Sequence, residues 1–285
     1  MINYKKVRGL IELIRPELPF AAGVCVIIGE IIAFGGFPSF QNLFLGFMWG
    51  FFLSSPAMII NDYFDIEVDK INSPNRPLPS GLIQPAAAIA LAVVTTLIGM
   101  AVSAFIGMTA VLLYIIFWLV GFLYNWKLKE MGLLGNLLVS SSVAITFILG
   151  SIAVGEPWNK TVWILSLMVF LFDLGEEIAA DAMDIEGDKK RDIKSIAILI
   201  GKKNALRISA LLFVLMIIVS LLPVFLNLLG ISYFIIISIT DILICFFVIR
   251  LLKSRTIEAG RSNIRGMYLC GLLGMIAIII GNIFI

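Results

Sequence analysis

The chain has no histidine, only three cysteines in 285 residues, and only 14% charged side chains. A soluble domain carries roughly 25% charge. Without histidine the commonest general base, His-based metal sites and Ser-His nucleophiles are all excluded. Any chemistry therefore falls to carboxylates, Lys, Arg, Tyr, Asn or an ion held by oxygen. Cys25, Cys245 and Cys270 lie inside apolar runs without metal-like spacing and read as small packing residues. The net charge of +2 is too small to point to nucleic acid as a partner.

Apolar sequence is what the chain has in excess: 60% of residues are hydrophobic and the mean hydropathy is +1.06. A crossing helix needs about 20 mostly apolar residues. Nine segments qualify: 18–35, 42–62, 85–105, 108–126, 132–153, 160–180, 203–226, 230–252 and 264–284. The expected fold is all-α, a polytopic bundle of nine transmembrane helices around a central cavity, forming one domain over 1–285. The basic N-terminus followed by an apolar run has no convincing cleavage site and reads as a retained first helix. The break between the third and fourth spans is only a short turn near Gly107. Charge tests it: with the N-terminus in the cytoplasm, every one of the 21 basic residues except Lys160 falls on the cytoplasmic side. Losing one helix would scatter the later ones to both faces.

Two acidic motifs end on that same face. The second span runs into Asn61-Asp62-Tyr63-Phe64-Asp65-Ile66-Glu67-Val68-Asp69. A helix continuing through it would put Asn61, Asp65 and Asp69 on one stripe, with Asp62 beside them. The sixth span runs into Asp181, Asp184 and Asp188, again one stripe, with Glu177 a turn earlier. Carboxylates clustered at membrane depth repel one another and need a cation or a water-filled cavity. Mg²⁺ commonly takes one or two carboxylates plus substrate phosphates, so two facing stripes suit a diphosphate held through bridging Mg²⁺. A solvated acidic helix end is the plainer account of either motif, but the spacing recurs twice on one side. Arg76, in the stiff loop Asn75-Arg76-Pro77-Leu78-Pro79-Ser80-Gly81, is suited to fork two phosphate oxygens. Lys127 and Lys129 follow Tyr124-Asn125-Trp126, and Lys189, Lys190 and Arg191 follow the second motif. For these lysines ordinary positive-inside charge accounts equally well. Glu30, Asp173, Glu176 and Asp241 lie within spans; Glu176 and Glu177 are near enough to the second motif to assist it.

These residues resemble the UbiA-type intramembrane prenyltransferases. The likeness rests on Asn-Asp-x-x-Asp-x-x-x-Asp at 61–69 running on to Asn-Arg-Pro-Leu-Pro-Ser-Gly at 75–81, on the second motif from Asp181 to Asp188, and on the length and span number. It implies Mg²⁺-dependent transfer of a prenyl group from a prenyl diphosphate to a lipid-like acceptor in the cell membrane, with the active site facing the cytoplasm. Asn61, Asp65, Asp184 and Asp188 would be the main metal and catalytic residues, supported by Asp62, Asp69 and Asp181. Arg76, Lys127, Lys129 and Lys189 would meet the diphosphate. Many members place Lys four residues after the Tyr at this point; here Leu128 stands there, with Lys127 and Lys129 on either side. The stretch 124–136 looks like the archaeal branch, which joins a geranylgeranyl chain to geranylgeranylglyceryl phosphate. An aromatic acceptor on the same fold and a cation-coupled transporter are the rival readings.

Overall fold

The computed structural model describes residues 4–190 and 193–283. Among them the regular structure is entirely helical. A short α1 (Tyr4–Ile14) precedes α2 (Glu17–Phe34) and α3 (Phe40–Phe64). A one-turn-and-more α4 (Ile66–Asn72) follows, then α5 (Pro85–Ile106), α6 (Met108–Trp126), α7 (Leu133–Ala153) and α8 (Lys160–Met183). The short α9 (Ile185–Lys190) and α10 (Ile196–Ile200) lead to α11 (Lys202–Ser220), its one-turn extension α12 (Leu222–Phe225), α13 (Ile231–Leu252) and α14 (Ile257–Ile283).

Among the described residues eight helices are long and apolar enough to cross a membrane: α2, α3, α5, α6, α7, α11 with its extension, α13 and α14. α8 has 24 residues, about 36 Å at 1.5 Å per residue, but carries Asp173, Glu176, Glu177 and Asp181. Its apolar side is packed against α7 and α11, with contacts to α2 and α14. Val162, Leu165, Met168, Leu174, Ile178 and Ala179 are buried there. Glu176 on α8 is buried, and Asp181 accepts from Asn136 on α7, so these acids face protein.

Gly107 makes the turn between α5 and α6 by itself. Its φ of 146° is a backbone state that side-chain-bearing residues rarely adopt. Two elements depart from the sequence expectation. α1 is helical although the sequence reads there only as basic residues before a span. α14 begins at Ile257, seven residues before the apolar run, because charged residues such as Arg261 extend the helix past the apolar run.

Pro56 interrupts α3 five residues before the first motif. Proline removes the bond to the carbonyl four residues back, here Phe52. The Tyr114 hydroxyl on α6 donates to that carbonyl at 3.0 Å. Asn125 Nδ2, lower on α6, donates to the Ala57 carbonyl at 3.0 Å. The carbonyl that proline leaves without its helix partner is thus satisfied from α6, which holds α3 just above the motif.

Candidate active site

Both acidic motifs bend at their middle aspartate. α3 ends at Asp65 (φ −90°, ψ 5°) and α4 starts at the next residue. α8 ends at Asp184 (φ −127°, ψ 25°) and α9 starts at the next residue. The unbroken stripes expected from spacing are therefore each split in two. The ψ at one residue leaves the helical range and redirects the chain, although Asp69 N–H still donates to Asp65 O and Asp188 N–H to Asp184 O. Asp65 and Asp184 stand at the corners.

In the first motif each carboxylate meets a cation from a different part of the chain. Arg15, just after α1, donates to buried Asp62. Arg76 donates to buried Asp69 at 2.6 Å and lies 3.7 Å from Asp62. Lys129, in the turn between α6 and α7, donates to Asp65. Asn61 sits one turn above Asp65 and is half-buried. The loop carrying Arg76 is tied by its own backbone, with Ser80 N–H to Arg76 O at 3.0 Å and Ile83 N–H to Pro77 O at 2.9 Å. Leu78 and Ile83 anchor it in the apolar cluster under α1.

In the second motif Asn136 Nδ2, on α7, donates to Asp181 at 2.8 Å. Arg261 on α14 lies 3.7 Å from Asp184. Asp188 is buried. A Cβ at Gly187 would come within 2.6 Å of Asp184 Oδ1, so glycine there leaves the carboxylate its room. Lys189 is exposed, and Arg191 lies outside the described residues.

The turn between α6 and α7 joins the two motifs. Lys129 reaches the first and Asn136 the second. Tyr124, at the end of α6, lies within electrostatic reach of Asp65 from one motif and of Glu177 and Asp181 from the other. Gly132 lets the turn pack on the chain beyond the second motif: its φ is 58°, and a Cβ there would sit 1.9 Å from the Lys194 carbonyl. Of the two lysines that flank Leu128, Lys129 points into the site and Lys127 is exposed.

Two cavities flank the end of α3. One, about 460 Å³, is polar and lined by Arg15, Asp62, Ser73, Asn75 and Arg76. The other, about 420 Å³, is apolar and runs between α3, α5 and α6, lined by Ile60, Tyr63, Phe64, Trp118 and Phe122. Trp118 stacks on Phe122 at 5.7 Å, and Phe64 meets Phe122 edge-on at 5.9 Å.

The model of the UbiA prenyltransferase family matches residues 22–278. The chain belongs to the UbiA prenyltransferase family. A digeranylgeranylglyceryl phosphate synthase from Pyrococcus abyssi is 38% identical over 219 residues, covering 77% of this chain and 78% of that one. A solved structure concerning digeranylgeranylglyceryl phosphate synthase superposes with a TM-score of 0.86 at 34% identity, covering 98% of this chain and 99% of that one. A UbiA homologue from Archaeoglobus fulgidus, bound to DMAPP and Mg²⁺, has the same fold at a TM-score of 0.70 and 20% identity, covering 96% and 99% of the two chains. This UbiA-family chain is thus a multi-pass membrane prenyltransferase.

Among the described residues no three carboxylates converge closely enough to hold one ion. Mg²⁺ does not need that, since it commonly completes its shell with water and phosphate. Oxygen-only donors at two corners, and the room left by Gly187, fit an ion shared with a diphosphate and not a closed protein cage.

Arg15, Asn136 and Arg261 were missed as site residues. Asn136 stands alone in an apolar run, the intramembrane polar signal that singled out Glu30 and Asp173. Arg15 and Arg261 carry no such mark, because their partners lie 47 and 77 residues away.

Proposed function

We propose that this chain transfers a geranylgeranyl group from geranylgeranyl diphosphate to the free hydroxyl of geranylgeranylglyceryl phosphate, forming digeranylgeranylglyceryl phosphate. The observation that carries the reading is the pair of aspartate corners bridged by one turn, with Lys129 on Asp65 and Asn136 on Asp181. The relation to digeranylgeranylglyceryl phosphate synthases supports this choice of donor and acceptor. The chain acts as one domain of nine spans, with α8 as the ninth and the N-terminus in the cytoplasm. The distribution of basic residues supports that orientation.

Asn61, Asp65, Asp184 and Asp188 hold Mg²⁺, with Asp62, Asp69 and Asp181 in support. Bound there, Mg²⁺ supplies positive charge for the leaving diphosphate. Arg76 and Lys129 turn from their carboxylates to the phosphate oxygens and stabilise the same charge. Lys127 and Lys189, both exposed, draw the anionic donor toward the site. Tyr63, Phe64, Trp118 and Phe122 offer an apolar wall beside the first motif that excludes water from C1. The acceptor oxygen forms the ether bond to C1 as the C1–O bond to diphosphate breaks, and the hydroxyl proton is released.

The test is an acceptor screen on purified protein with labelled geranylgeranyl diphosphate and Mg²⁺. Diphosphate release coupled to a glycerol-phosphate lipid acceptor is the expected result. Product formed only with an aromatic acid would move the chain to the aromatic-acceptor branch. Ion flux in liposomes without transfer to any acceptor would overturn the enzyme reading.

A further inference from the structure

α1 has three faces. Gly9 and Leu13 are buried, and a Cβ at Gly9 would meet Leu82 and Ile83 at 3.0 and 3.1 Å. That face crosses the cytoplasmic ends of α3 and α5, where Leu10 and Ile14 join the same apolar cluster. A second face holds Tyr4, Val7 and Ile11 at positions i, i+3 and i+7, exposed by 78, 39 and 52%. The third carries charge, with Lys5, Arg8 and Glu12, and Arg8 binds Glu12 at 2.8 Å; Lys6, at the open start of the helix, is exposed beyond the buried face.

An exposed apolar stripe beside a basic one does not suit free solution. It is the pattern of a helix lying in the plane of a bilayer surface. The position agrees: α1 reaches the first crossing helix through only Arg15 and Pro16, and it packs on the ends of two further spans. Its basic residues match the negative headgroups of a cytoplasmic leaflet. We propose that α1 is a surface-seated helix that docks Tyr4, Val7 and Ile11 into a bilayer carrying anionic lipid, with Lys5, Lys6 and Arg8 as its headgroup contacts.

The seat of α1 also sets where Arg15 stands. Arg15 adopts φ 49°, a left-handed state uncommon for a residue with a side chain. It is the single corner between α1 and α2, and its guanidinium holds Asp62 of the first motif. Contact with the bilayer surface is thereby linked to a carboxylate of the active site.

The test uses the full chain in vesicles of phosphatidylcholine, with and without added phosphatidylglycerol. A fluorescent probe is attached at Val7→Cys after the three native cysteines are changed to alanine. A blue-shifted probe, quenched by nitroxide lipid and at least about twofold more strongly in the anionic vesicles, is expected. The Lys5→Glu/Lys6→Glu pair should remove that difference. Hydrogen–deuterium exchange over residues 4–14 of the unmodified protein gives a second measure, expected to slow when phosphatidylglycerol is present. A water-like probe in both vesicles, or quenching and exchange that ignore lipid charge, would overturn the proposal.

Discussion

The two Asp motifs share a backbone plan and differ in their surroundings. Each bends at its middle aspartate and starts a short helix at the next residue. In the first, Asp62, Asp65 and Asp69 are matched by Arg15, Lys129 and Arg76. In the second, Asp181 is held by a neutral amide, and Asp184 has Arg261 at 3.7 Å. The turns above them differ as well. α3 approaches its motif through Pro56-Ala57-Met58-Ile59-Ile60, whereas α8 approaches through Asp173, Glu176 and Glu177. The comparison teaches that one backbone corner can be set in different company: cations from three distant segments reach the first motif, whereas a run of carboxylates on α8 leads into the second.

The strongest test is to remove each corner. Asp65→Ala and Asp184→Ala should each lower the turnover of labelled geranylgeranyl diphosphate by at least about 100-fold while the protein still inserts and purifies. In a metal titration without donor, Mn²⁺ binding followed by electron paramagnetic resonance should weaken in both variants. Unchanged Mn²⁺ binding in either variant would remove that corner from the metal site. Next comes the choice of lysine. Lys129→Ala should cost about 100-fold in kcat, because it removes a cation from the site, and Lys127→Ala less than about threefold. A larger effect at Lys127 would mean that the turn rearranges when donor binds.

A smaller effect is expected at Arg76. Arg76→Lys keeps the charge but loses the two-pronged geometry, so the KM for the prenyl diphosphate should rise about tenfold with little change in kcat. Smaller again is Asn136→Ala, which removes one hydrogen bond from Asp181. A loss of about 1 kcal/mol corresponds to about fivefold in transfer rate. An effect as large as that of Asp184→Ala would show that the amide is as central to the second motif as the cations are to the first.

Apolar runs, turn residues and the placement of basic residues marked the crossing segments, and the helices follow them to within a few residues for most of the chain. The short turn at Gly107 was legible because one basic-residue tally depended on it. α1 was not, because its burial depends on Leu82 and Ile83, which come seventy residues later. The motif carboxylates were legible from local spacing. Their partners were only partly so: Arg76 and Lys129 lie near acidic or aromatic signals, whereas Arg15, Asn136 and Arg261 become site residues only through contacts far along the chain.

Composition alone therefore determined a membrane-embedded helical chain whose chemistry does without histidine, and near-neighbour spacing marked its two acidic motifs. Those properties are sums over residues or depend on near neighbours, and they need no fold. The tertiary structure decided that both aspartate stripes break at a corner, that Lys129 and not Lys127 faces Asp65, and that one motif is matched by cations from three separate elements. Each of these depends on which distant segments share a few ångströms of space, where short-range packing and Coulomb forces act and local spacing carries no information.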